Sequence, residues 1–581
     1  MAFDALIMKA ITLELAEKLD GAIVQRVNEP ARGETALHFY GRGGRQILLY
    51  SVDPQYSRLH LTEEEKRKKE ADTSPSPFCM LLRKYLTGSR AASFSSPPLE
   101  RILTIEFNLP DGMAPVQLIA EVMGRRSNLI LVDHRGIILG AAKPVSGEKN
   151  PIRPILPGEP YLPVPTQERL NPLLMEREEF AQRYSSAIAG GKKQEQALLS
   201  SIAGLSPLIA RELIFRAGKD QTAAEDFTDR LYRETVALFK SAERGAHRAV
   251  AAPEQKLIAA AELTHLPAEN QVRFDSVNTM LDRFYSKTIR VEREKALRGS
   301  LAAVVKKRIT TLEKKKKGQK EDLASAEQAP QYRLYGELLL AYGHQAPRGA
   351  SSIELPDLYD PAKTVTVPLD PSKTAAANAQ RYFTRYRKAK KGLDEVKKQL
   401  RKTAAELKYC RELLYAIENS SGLSLEEIRT ELVQAGYMKA KKGVKARKEA
   451  RPEPLSFRSS AGHTILVGRN NRQNDYITFK AAVRRDTWFH VRIIPGSHVV
   501  LKEAPDPIPP SDIEEAAFLA AYFSKGRNSG AVEVDYTAVR HVRRRPGGKP
   551  GQVFYENYDT ITVNPQDQRL IAYFNLLAPE G

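Results

Sequence analysis

A heptad repeat of leucines constrains this sequence most, because it fixes a long helix with one apolar seam. Four leucines recur at every seventh position and three further apolar side chains fill the second seam position: Leu393, Leu400, Leu407 and Leu414, with Val396, Cys410 and Ile417. Such spacing predicts a coiled-coil helix. Upstream, a lysine-rich run carries an apolar face at helical spacing through Leu301, Val305, Ile309 and Leu312.

We therefore predict two antiparallel coiled-coil arms over residues 286–435. The stretch between the arms contains Gly, Pro and a strand-like run, Thr364–Val367, so we expect a small module at the tip, at about residues 330–375. A long helical bundle within a globular core is the alternative. The lysine excess on the first arm favours a projecting rod that faces a polyanion.

Length and charge set the broad class of the protein. At 581 residues the chain is too long for one core, and we expect a multidomain α+β protein of about three to five domains. The net charge is +20, and carboxylates are also numerous, which predicts a folded basic protein with polyanionic partners. An anionic membrane surface is the competing explanation, but no basic helix with an aromatic face stands out.

The sequence predicts a cytoplasmic protein with no membrane partner. The N-terminal stretch has the pattern of an acidic, apolar helix without a basic leader region, which argues against a signal peptide. No apolar run approaches the roughly 20 residues that span a bilayer. The two cysteines, Cys79 and Cys410, lie far apart in sequence and are typical of small buried side chains in a reducing compartment.

Residues 1–170 have the pattern of an α+β domain. We expect a helix over Asp4–Leu19, a second helix over Phe78–Leu86, and a run of strands: Ala22–Val27, Thr35–Tyr40, Gln46–Tyr50, Ser57–Leu61, Ile102–Phe107, Gln117–Val122 and Leu129–Val132. The proline-rich segment Asn150–Pro165 predicts a linker at the end of this domain.

Residues 171–285 are predicted to form a helical domain. Leu198–Gly218 has the pattern of two helices joined by a tight turn at Gly204, and Ser206 and Pro207 suit the start of the second helix. A helix-hairpin-helix of this kind would direct helix N-terminal amides at a phosphate. An ordinary helical hairpin is the equal alternative. We expect Glu254–Leu266 to complete the helical domain.

The segment His463–Lys502 has the pattern of several strands and a short helix within forty residues. It predicts the centre of a small C-terminal α/β domain, residues 455–581. Strand-like runs Thr464–Val467 and Trp488–Val491 flank a polar loop, Gly468–Asn474. The loop contains Arg, Asn and Gln but no carboxylate, a set suited to phosphate and sugar oxygens. Ordinary solvated loop residues are the alternative. A basic linker, residues 436–454, precedes this domain.

Two further features of the C-terminal domain bear on binding. His490 and His498 could ligate a metal, but the stretch has no Cys and no HxxxH spacing, so we predict no metal. We expect a helix over Asp512–Ser524 and a strand over Val532–Tyr536. A basic hairpin, Arg540–Lys549, carries candidate contacts to rRNA phosphates: Arg543, Arg544, Arg545 and Lys549.

Three long motifs in this domain resemble a known family. They read GRNNRQNDYIT, DTWFHVRIIPGSHV and AAYFSKGRNSGAVEVDYTAVRHVRRRPGGKPGQV. They resemble the RNA-binding domain, NFACT-R, of the NFACT family of ribosome-associated quality-control factors. Family members carry Lys-Asp-Ile before the PGSH motif, where this chain has Arg492, Ile493 and Ile494. The resemblance implies rRNA or ribosome contacts for a set of side chains: Arg469, Asn470, Asn471, Arg472, His490 and His498, with the four hairpin cations.

The N-terminal domain resembles the NFACT-N domain through the motifs LERI and EVMGRRSN. That domain is similar in fold to the N-terminal domain of formamidopyrimidine-DNA glycosylases, whose nucleophilic N-terminal Pro is absent here because Ala2 and Phe3 follow Met1. The family has an Asp-Arg pair for tRNA engagement where this chain has Glu100 and Arg101, and a surface ion pair is the alternative. The resemblance implies a tRNA-binding set: Glu100, Arg101, Arg125, Arg126 and Asn128.

The resemblance covers nearly the whole chain and implies a function. It implies binding to the large (50S) ribosomal subunit with peptidyl-tRNA, recruitment of tRNA (alanyl-tRNA in bacterial relatives), and C-terminal alanine tailing of the stalled peptide. A small S4-like RNA-binding protein, RqcP, is a further implied partner. The sequence has no GxxxxGKS or GxxxxGKT, CxxC, HExxH or GxSxG motif, so we expect no enzyme and no cofactor. A general RNA-binding or processing protein and a fibronectin-binding adhesin are the alternatives.

Overall fold

The computed structural model describes residues 3–63, 75–148, 150–165, 168–219, 226–360, 362–439 and 452–576. The chain divides into two compact units, Met1–Val291 and Glu292–Gly581, and each is described by itself. Most of the predicted basic linker, residues 440–451, lies outside the described residues. The multidomain α+β class predicted from the sequence is confirmed, and the predicted domain boundaries stay predictions.

A nine-stranded antiparallel sheet with two helices forms the first part of unit 1. Its strand order is β4-β3-β2-β1-β5-β6-β7-β8-β9. The elements are α1 Ala5–Leu19, β1 Ile23–Asn28, β2 Glu34–Gly41, β3 Gly44–Ser51, β4 Arg58–Leu61, α2 Pro77–Leu86, β5 Arg90–Ser95, β6 Ile102–Asn108, β7 Val116–Glu121, β8 Asn128–Asp133 and β9 Ile138–Ala141.

Helix α1 is the central helix of this unit. Asp4 caps its start by accepting a hydrogen bond from the Ile7 backbone N–H at 3.0 Å. Ile7, Ile11 and Leu15 are fully buried within the large core of the unit. Gly21 just beyond its end has a positive φ of 69°, which glycine adopts without steric cost.

The proline-rich segment 150–165 packs on the sheet, so its prediction as a linker is wrong. Ile155 is buried and pairs with Val145 in a β-bridge. Arg153 forms a buried two-pronged ion pair with Glu121, one arm of which is 3.2 Å long. The Tyr161 hydroxyl donates to the same carboxylate at 2.9 Å. A segment with a buried ion pair and a buried Ile is part of the domain core.

Helices and a small sheet complete unit 1. The elements are α3 Arg177–Ala189, α4 Gln194–Ser201, α5 Pro207–Lys219, α6 Phe227–Glu243, β10 Ala249–Ala252, β11 Leu257–Ala259 and β12 Val272–Phe274. The predicted pair of helices, α4 and α5, is present. The expected helical end of the domain is wrong, because β10 to β12 form an antiparallel sheet in the order β11-β10-β12.

Two long helices form the arms predicted from the heptads. The elements are α7 Val277–Glu327, α8 Ala329–Tyr342, β13 Ser352–Pro356, β14 Thr364–Pro368, α9 Ala375–Asn419 and α10 Gly422–Gln434. Ion pairs join Arg308 to Glu406 at 2.6 Å and Glu313 to Arg411 at 2.9 Å. Leu301, Val305 and Leu312 share a buried cluster with seam residues of α9, which include Leu407, Cys410 and Ile417.

A six-stranded antiparallel sheet dominates the C-terminal part of unit 2, which makes this part α+β and corrects the predicted α/β class. Its order is β15-β16-β18-β17-β19-β22. The elements are β15 Leu455–Arg458, β16 Thr464–Val467, α11 Asn471–Tyr476, β17 Thr487–Val491, β18 Val499–Lys502, α12 Pro510–Tyr522, β19 Val532–Ala538, β20 Val542–Arg544, β21 Val553–Tyr555, β22 Asp559–Val563 and α13 Gln568–Tyr573. Helix α12 packs on the sheet, and β20 and β21 form a separate hairpin.

Candidate nucleic-acid interface

The loop between β5 and β6 presents Glu100 and Arg101. The loop is held in shape by Leu99, whose φ of 64° reverses the chain, and by a backbone hydrogen bond from Glu100 to Pro97 of 3.2 Å. Arg101 is exposed, while Glu100 is half-buried. Burial raises the pKa of Glu100, and the neighbouring Arg101 guanidinium opposes that rise.

The structure brings Arg101 and the turn that carries Arg125 and Arg126 to one place. The Arg101 carbonyl accepts a hydrogen bond from the Val122 N–H at 2.9 Å. Arg101 and Gly124 line the same cavity of about 150 Å³, and both Arg125 and Arg126 are exposed. Three guanidinium groups thus share one surface region of unit 1, an arrangement suited to RNA phosphates and unpaired bases.

Asn128 has an internal role, unlike its arginine neighbours. Its side chain is buried, donates to the Lys143 carbonyl at 2.7 Å and accepts from the Lys143 N–H at 2.9 Å. These bonds tie β8 to the chain beyond β9. The tRNA contact implied for Asn128 stays a prediction, and the structure gives its amide a structural function.

The N-terminus of α5, which the sequence offered as a phosphate site, is occupied from within the protein. The Ser206 hydroxyl donates to the Asp4 carboxylate at 2.7 Å, and both side chains are buried. Gly204 has a φ of +79°, and a Cβ there would lie 3.1 Å from Leu99 and 3.2 Å from Ala5. This turn is therefore packed against α1, and the alternative of an ordinary helical hairpin is the one that the structure supports.

The polar segment 468–474 is a helix start held by carboxylates of α10. Asn470 caps α11 by accepting from the Gln473 N–H at 2.9 Å. The amides of Asn470 and Gln473 donate to Glu427 at 2.7 and 2.9 Å. The Asn471 amide donates to the buried Glu431 at 3.0 Å. The expected phosphate-binding loop is thus an internal contact, and the RNA role implied for Asn470 and Asn471 stays a prediction.

The two arginines of this segment are half-buried. The Arg469 guanidinium reaches the Glu453 carbonyl at 3.4 Å, and its backbone N–H donates to the Gln473 side chain at 3.0 Å. Arg472 contributes a positive field that opposes the raised pKa of Glu431. Arg469 thus contacts the segment before β15 and the start of α11, while Arg472 lies close enough to Glu431 of α10 to affect its charge. The ribosome contact implied for both arginines stays a prediction.

Three aromatic rings contact one another in the middle of the C-terminal sheet. The Trp488 ring lies parallel to the His490 ring, with centroids 5.7 Å apart, and edge-on to His498 at 5.1 Å. Burial lowers the pKa of His490 to about 4 and lowers that of His498 well below its ordinary value. Both imidazoles are therefore neutral at pH 7. Within the described ranges, no group of His, Cys, Asp and Glu is arranged to hold a metal ion.

The basic hairpin divides into exposed and internal cations. Arg543 and Arg545 are exposed. Arg544 pairs with Asp475 at 2.7 Å. Lys549 lies over the rings of Tyr409 and Tyr437, at 4.4 and 4.3 Å from their centroids, and burial lowers its pKa. The structure thus uses Lys549 as an internal contact with α9, and the rRNA contact implied for it stays a prediction.

Comparison with known proteins shows the family. The profile described as NFACT N-terminal and middle domains matches residues 4–451, and the NFACT protein RNA binding domain matches residues 454–557. The chain belongs to the NFACT family. It is 36% identical to the Rqc2 homolog RqcH of Bacillus subtilis over 98% of this chain and 99% of that protein. It is 33% identical to the Rqc2 homolog RqcH of Streptococcus suis over the same shares.

A solved structure also matches part of the chain. The N-terminal part of the fibronectin/fibrinogen-binding protein from Streptococcus suis is 28% identical, with 49% of this chain and 100% of that chain covered and a TM-score of 0.42. Every helix in the described parts of the chain is too short or too polar to span a lipid bilayer.

Unit 2 of this NFACT protein also has a basic groove that its sequence alone does not reveal. Four exposed cations of α9 face an exposed arginine of the hairpin across a cavity of about 790 Å³: Lys397, Lys398, Arg401 and Lys402, with Arg545. We call this set the basic groove. In the sequence, one side of the groove is indicated by two i, i+4 pairs of cations on α9, which place four positive charges on one helix face. Only the fold brings the hairpin opposite that face.

Proposed function

We propose that this protein is a ribosome quality-control factor that binds stalled large ribosomal subunits carrying peptidyl-tRNA. The observation that carries the proposal is the match to the Rqc2 homolog RqcH of Bacillus subtilis, at 36% identity over 98% of this chain and 99% of that protein. The match to the RNA-binding domain of the family over residues 454–557 supports it. The net charge of +20 suits an RNA partner.

In this proposal the two units have different RNA partners. Arg101, Arg125 and Arg126 of unit 1 hold a tRNA, whose unpaired loop suits guanidinium stacking and carboxylate contacts from Glu100. The basic groove and the exposed arginines of the hairpin in unit 2 hold rRNA phosphates. The recruited tRNA carries alanine, and its use without mRNA adds a C-terminal alanine tail that marks the stalled peptide for degradation.

The protein positions RNA in this proposal and leaves bond formation to the ribosome. Its own side chains would supply binding free energy and orientation, which bring the aminoacyl-tRNA to the empty site of the large subunit. The peptidyl-transferase centre forms the peptide bonds, and a small S4-like RNA-binding protein assists the cycle. The protein works in the cytoplasm in this proposal.

Co-sedimentation in sucrose gradients tests the proposal. The tagged protein is expected to migrate with free large subunits and to leave them as potassium chloride is raised, because each phosphate contact steepens the salt dependence of binding. Isolated 30S subunits and bulk RNA of equal mass serve as controls. Equal migration with bulk RNA would favour a general RNA-binding protein, and absence from every RNA-containing fraction would refute the proposal.

A further inference from the structure

A second, smaller cavity opens beside the basic groove. Its volume is about 90 Å³, and its walls include Trp488, His490, His498 and Tyr555. We call it the histidine cavity. Arg545 and Gln552 line both the histidine cavity and the basic groove. A ligand that reaches from one to the other would therefore present a small group to aromatic rings and a longer part to cations.

The groove side is built for negative charge. Lys397 and Arg401, like Lys398 and Lys402, are i, i+4 pairs of like charge on α9, and such pairs destabilise a helix. Their carboxylate neighbours in the groove are Asp394 and Glu406, and Glu406 is already paired with Arg308 at 2.6 Å. The excess of cations on this face favours phosphates as the ligand of the groove.

The cavity side is built for a neutral planar ring. His490 and His498 are uncharged at pH 7, because burial lowers both of their pKa values. Trp488 is fully buried, and its indole N–H has no hydrogen-bond partner among the described residues. A buried donor without an acceptor costs on the order of 1–3 kcal/mol, and the residue that carries it lines this cavity.

Polar groups for the edge of such a ring are also present. Glu412 lines the cavity, and burial raises its pKa to about 7, so that its carboxyl group both donates and accepts near neutral pH. Asn471 and Asn474 also line the cavity. The Asn471 amide donates to Glu431 at 3.0 Å, and the Asn474 side-chain carbonyl oxygen accepts from the His498 backbone N–H at 3.1 Å. An aromatic cage for a cationic ligand would have similar rings, but Lys408 and Arg545 line this cavity and would repel a cation.

We propose that the histidine cavity takes one unpaired RNA base while the basic groove holds the phosphates on either side of it. The inference rests on the proposed function and gives the RNA-binding part of unit 2 a defined nucleotide site. Base stacking on His490 and Tyr555 would be tolerant of sequence, because every base has an aromatic face. The phosphates would add the salt-dependent part of the binding.

Trp488 provides the reporter, because it is the single tryptophan of the chain. The full-length protein is titrated with hexauridylate and, separately, with an abasic ribose-phosphate hexamer of the same charge. Hexauridylate is expected to change the Trp488 emission in a saturable way. The abasic hexamer is expected to bind, as a competition titration reports, without that change. An equal change with both hexamers would overturn the base site.

Two sets of variants separate the cavity from the groove. His490→Leu removes a stacking ring and should weaken hexauridylate binding by about 10-fold with no effect on the abasic hexamer. Lys398→Gln with Lys402→Gln should weaken both hexamers and lower the salt slope by about 1.4, from about 0.7 for each single-strand phosphate contact. The matched control is Lys388→Gln with Lys391→Gln, the same charge loss on α9 outside the groove.

Gradients with the same proteins keep the two proposals apart. If the wild-type protein migrates with large subunits and hexauridylate leaves the Trp488 emission unchanged, the base site is wrong and the quality-control proposal stands. If hexauridylate changes the Trp488 emission but the protein binds no large subunits, the base site stands and the quality-control proposal is wrong. Should His490→Leu fail to fold, the comparison of the two hexamers on the wild-type protein decides the base site. For the pair Lys398→Gln and Lys402→Gln, affinities equal to those of the control pair would overturn the groove.

Discussion

Ile493 occupies a backbone conformation that its side chain disfavours, and replacing it should stabilise the protein. Its φ is +68°, and the Ile494 N–H donates to the Arg492 carbonyl at 2.8 Å, which closes a three-residue turn around it. A β-branched residue is a genuine outlier in this region. The side chain is 86% exposed, so burial does not compensate for the strain.

The magnitude follows from these two observations. A strained positive-φ conformation costs an L-residue about 1–3 kcal/mol, and Asn adopts positive φ several-fold more often than most other residues. Because the exposed Ile493 side chain has little packing to lose, Ile493→Asn should raise the free energy of unfolding by about 1 kcal/mol. Glycine would relieve the same strain, but its greater freedom in the unfolded chain would offset part of the gain.

Urea unfolding followed by Trp488 emission measures this change, because Trp488 lies in β17, the strand that ends two residues before Ile493. With a slope near 2 kcal/mol per molar urea, about 1 kcal/mol raises the midpoint by about 0.5 M. Val483→Asn is the matched control, since Val483 is 49% exposed and its backbone lies outside the left-handed region. A midpoint for Ile493→Asn no higher than that of the control would refute the strain argument.

Three further predictions concern buried charge and the tRNA face. Arg153→Ala should destabilise unit 1 by about 3–5 kcal/mol, because it leaves the Glu121 carboxylate buried without its guanidinium; calorimetry would detect the lowered transition. Burial raises the pKa of Glu431 to about 7, so its stabilising contribution is full below about pH 4.5 and is lost as the pH rises towards 7. Glu431→Gln should therefore be more stable than the wild-type protein at pH 8, by up to about 3 kcal/mol, with no such gain at pH 4 in parallel urea titrations. Glu100→Ala with Arg101→Ala should leave large-subunit binding intact but remove copurified tRNA and alanine tails, and normal tRNA recovery would mean that the two form only a surface ion pair.

Local sequence patterns predicted the helices and strands in which the spacing of apolar residues matches the face that is buried in the core. Helix α1 and strands β1 to β4 begin and end within a residue or two of their predicted bounds. Strand β10 was missed because its sequence, AVAA, is rich in the residue with the highest helix propensity. Strand β5, RAASFS, lacks the branched and aromatic density of a typical strand and is fixed by its neighbour β6.

The candidate site was harder to predict, because polar residues are read as exposed unless a distant partner is known. Asn470 and Asn471 have the composition of a solvated RNA-binding loop, yet their partners Glu427 and Glu431 come from a helix about 40 residues earlier in the chain. The cations of the basic groove had the opposite problem. The spacing of these cations on one face of α9 can be read from the sequence. Only the tertiary structure places the hairpin opposite that face.

The contact between α10 and α11 should constrain which residues can occur at its positions in related proteins. Two carboxylates, Glu427 and Glu431, receive the amides of Asn470, Gln473 and Asn471 in a partly or fully buried setting. Losing either side alone would leave a buried polar group unsatisfied. In other NFACT chains these positions should therefore change together, as co-varying pairs, even though about 40 residues separate them in sequence. A double substitution that replaces both partners of one such bond by apolar residues of similar shape should be tolerated, where an apolar residue on one side alone is not.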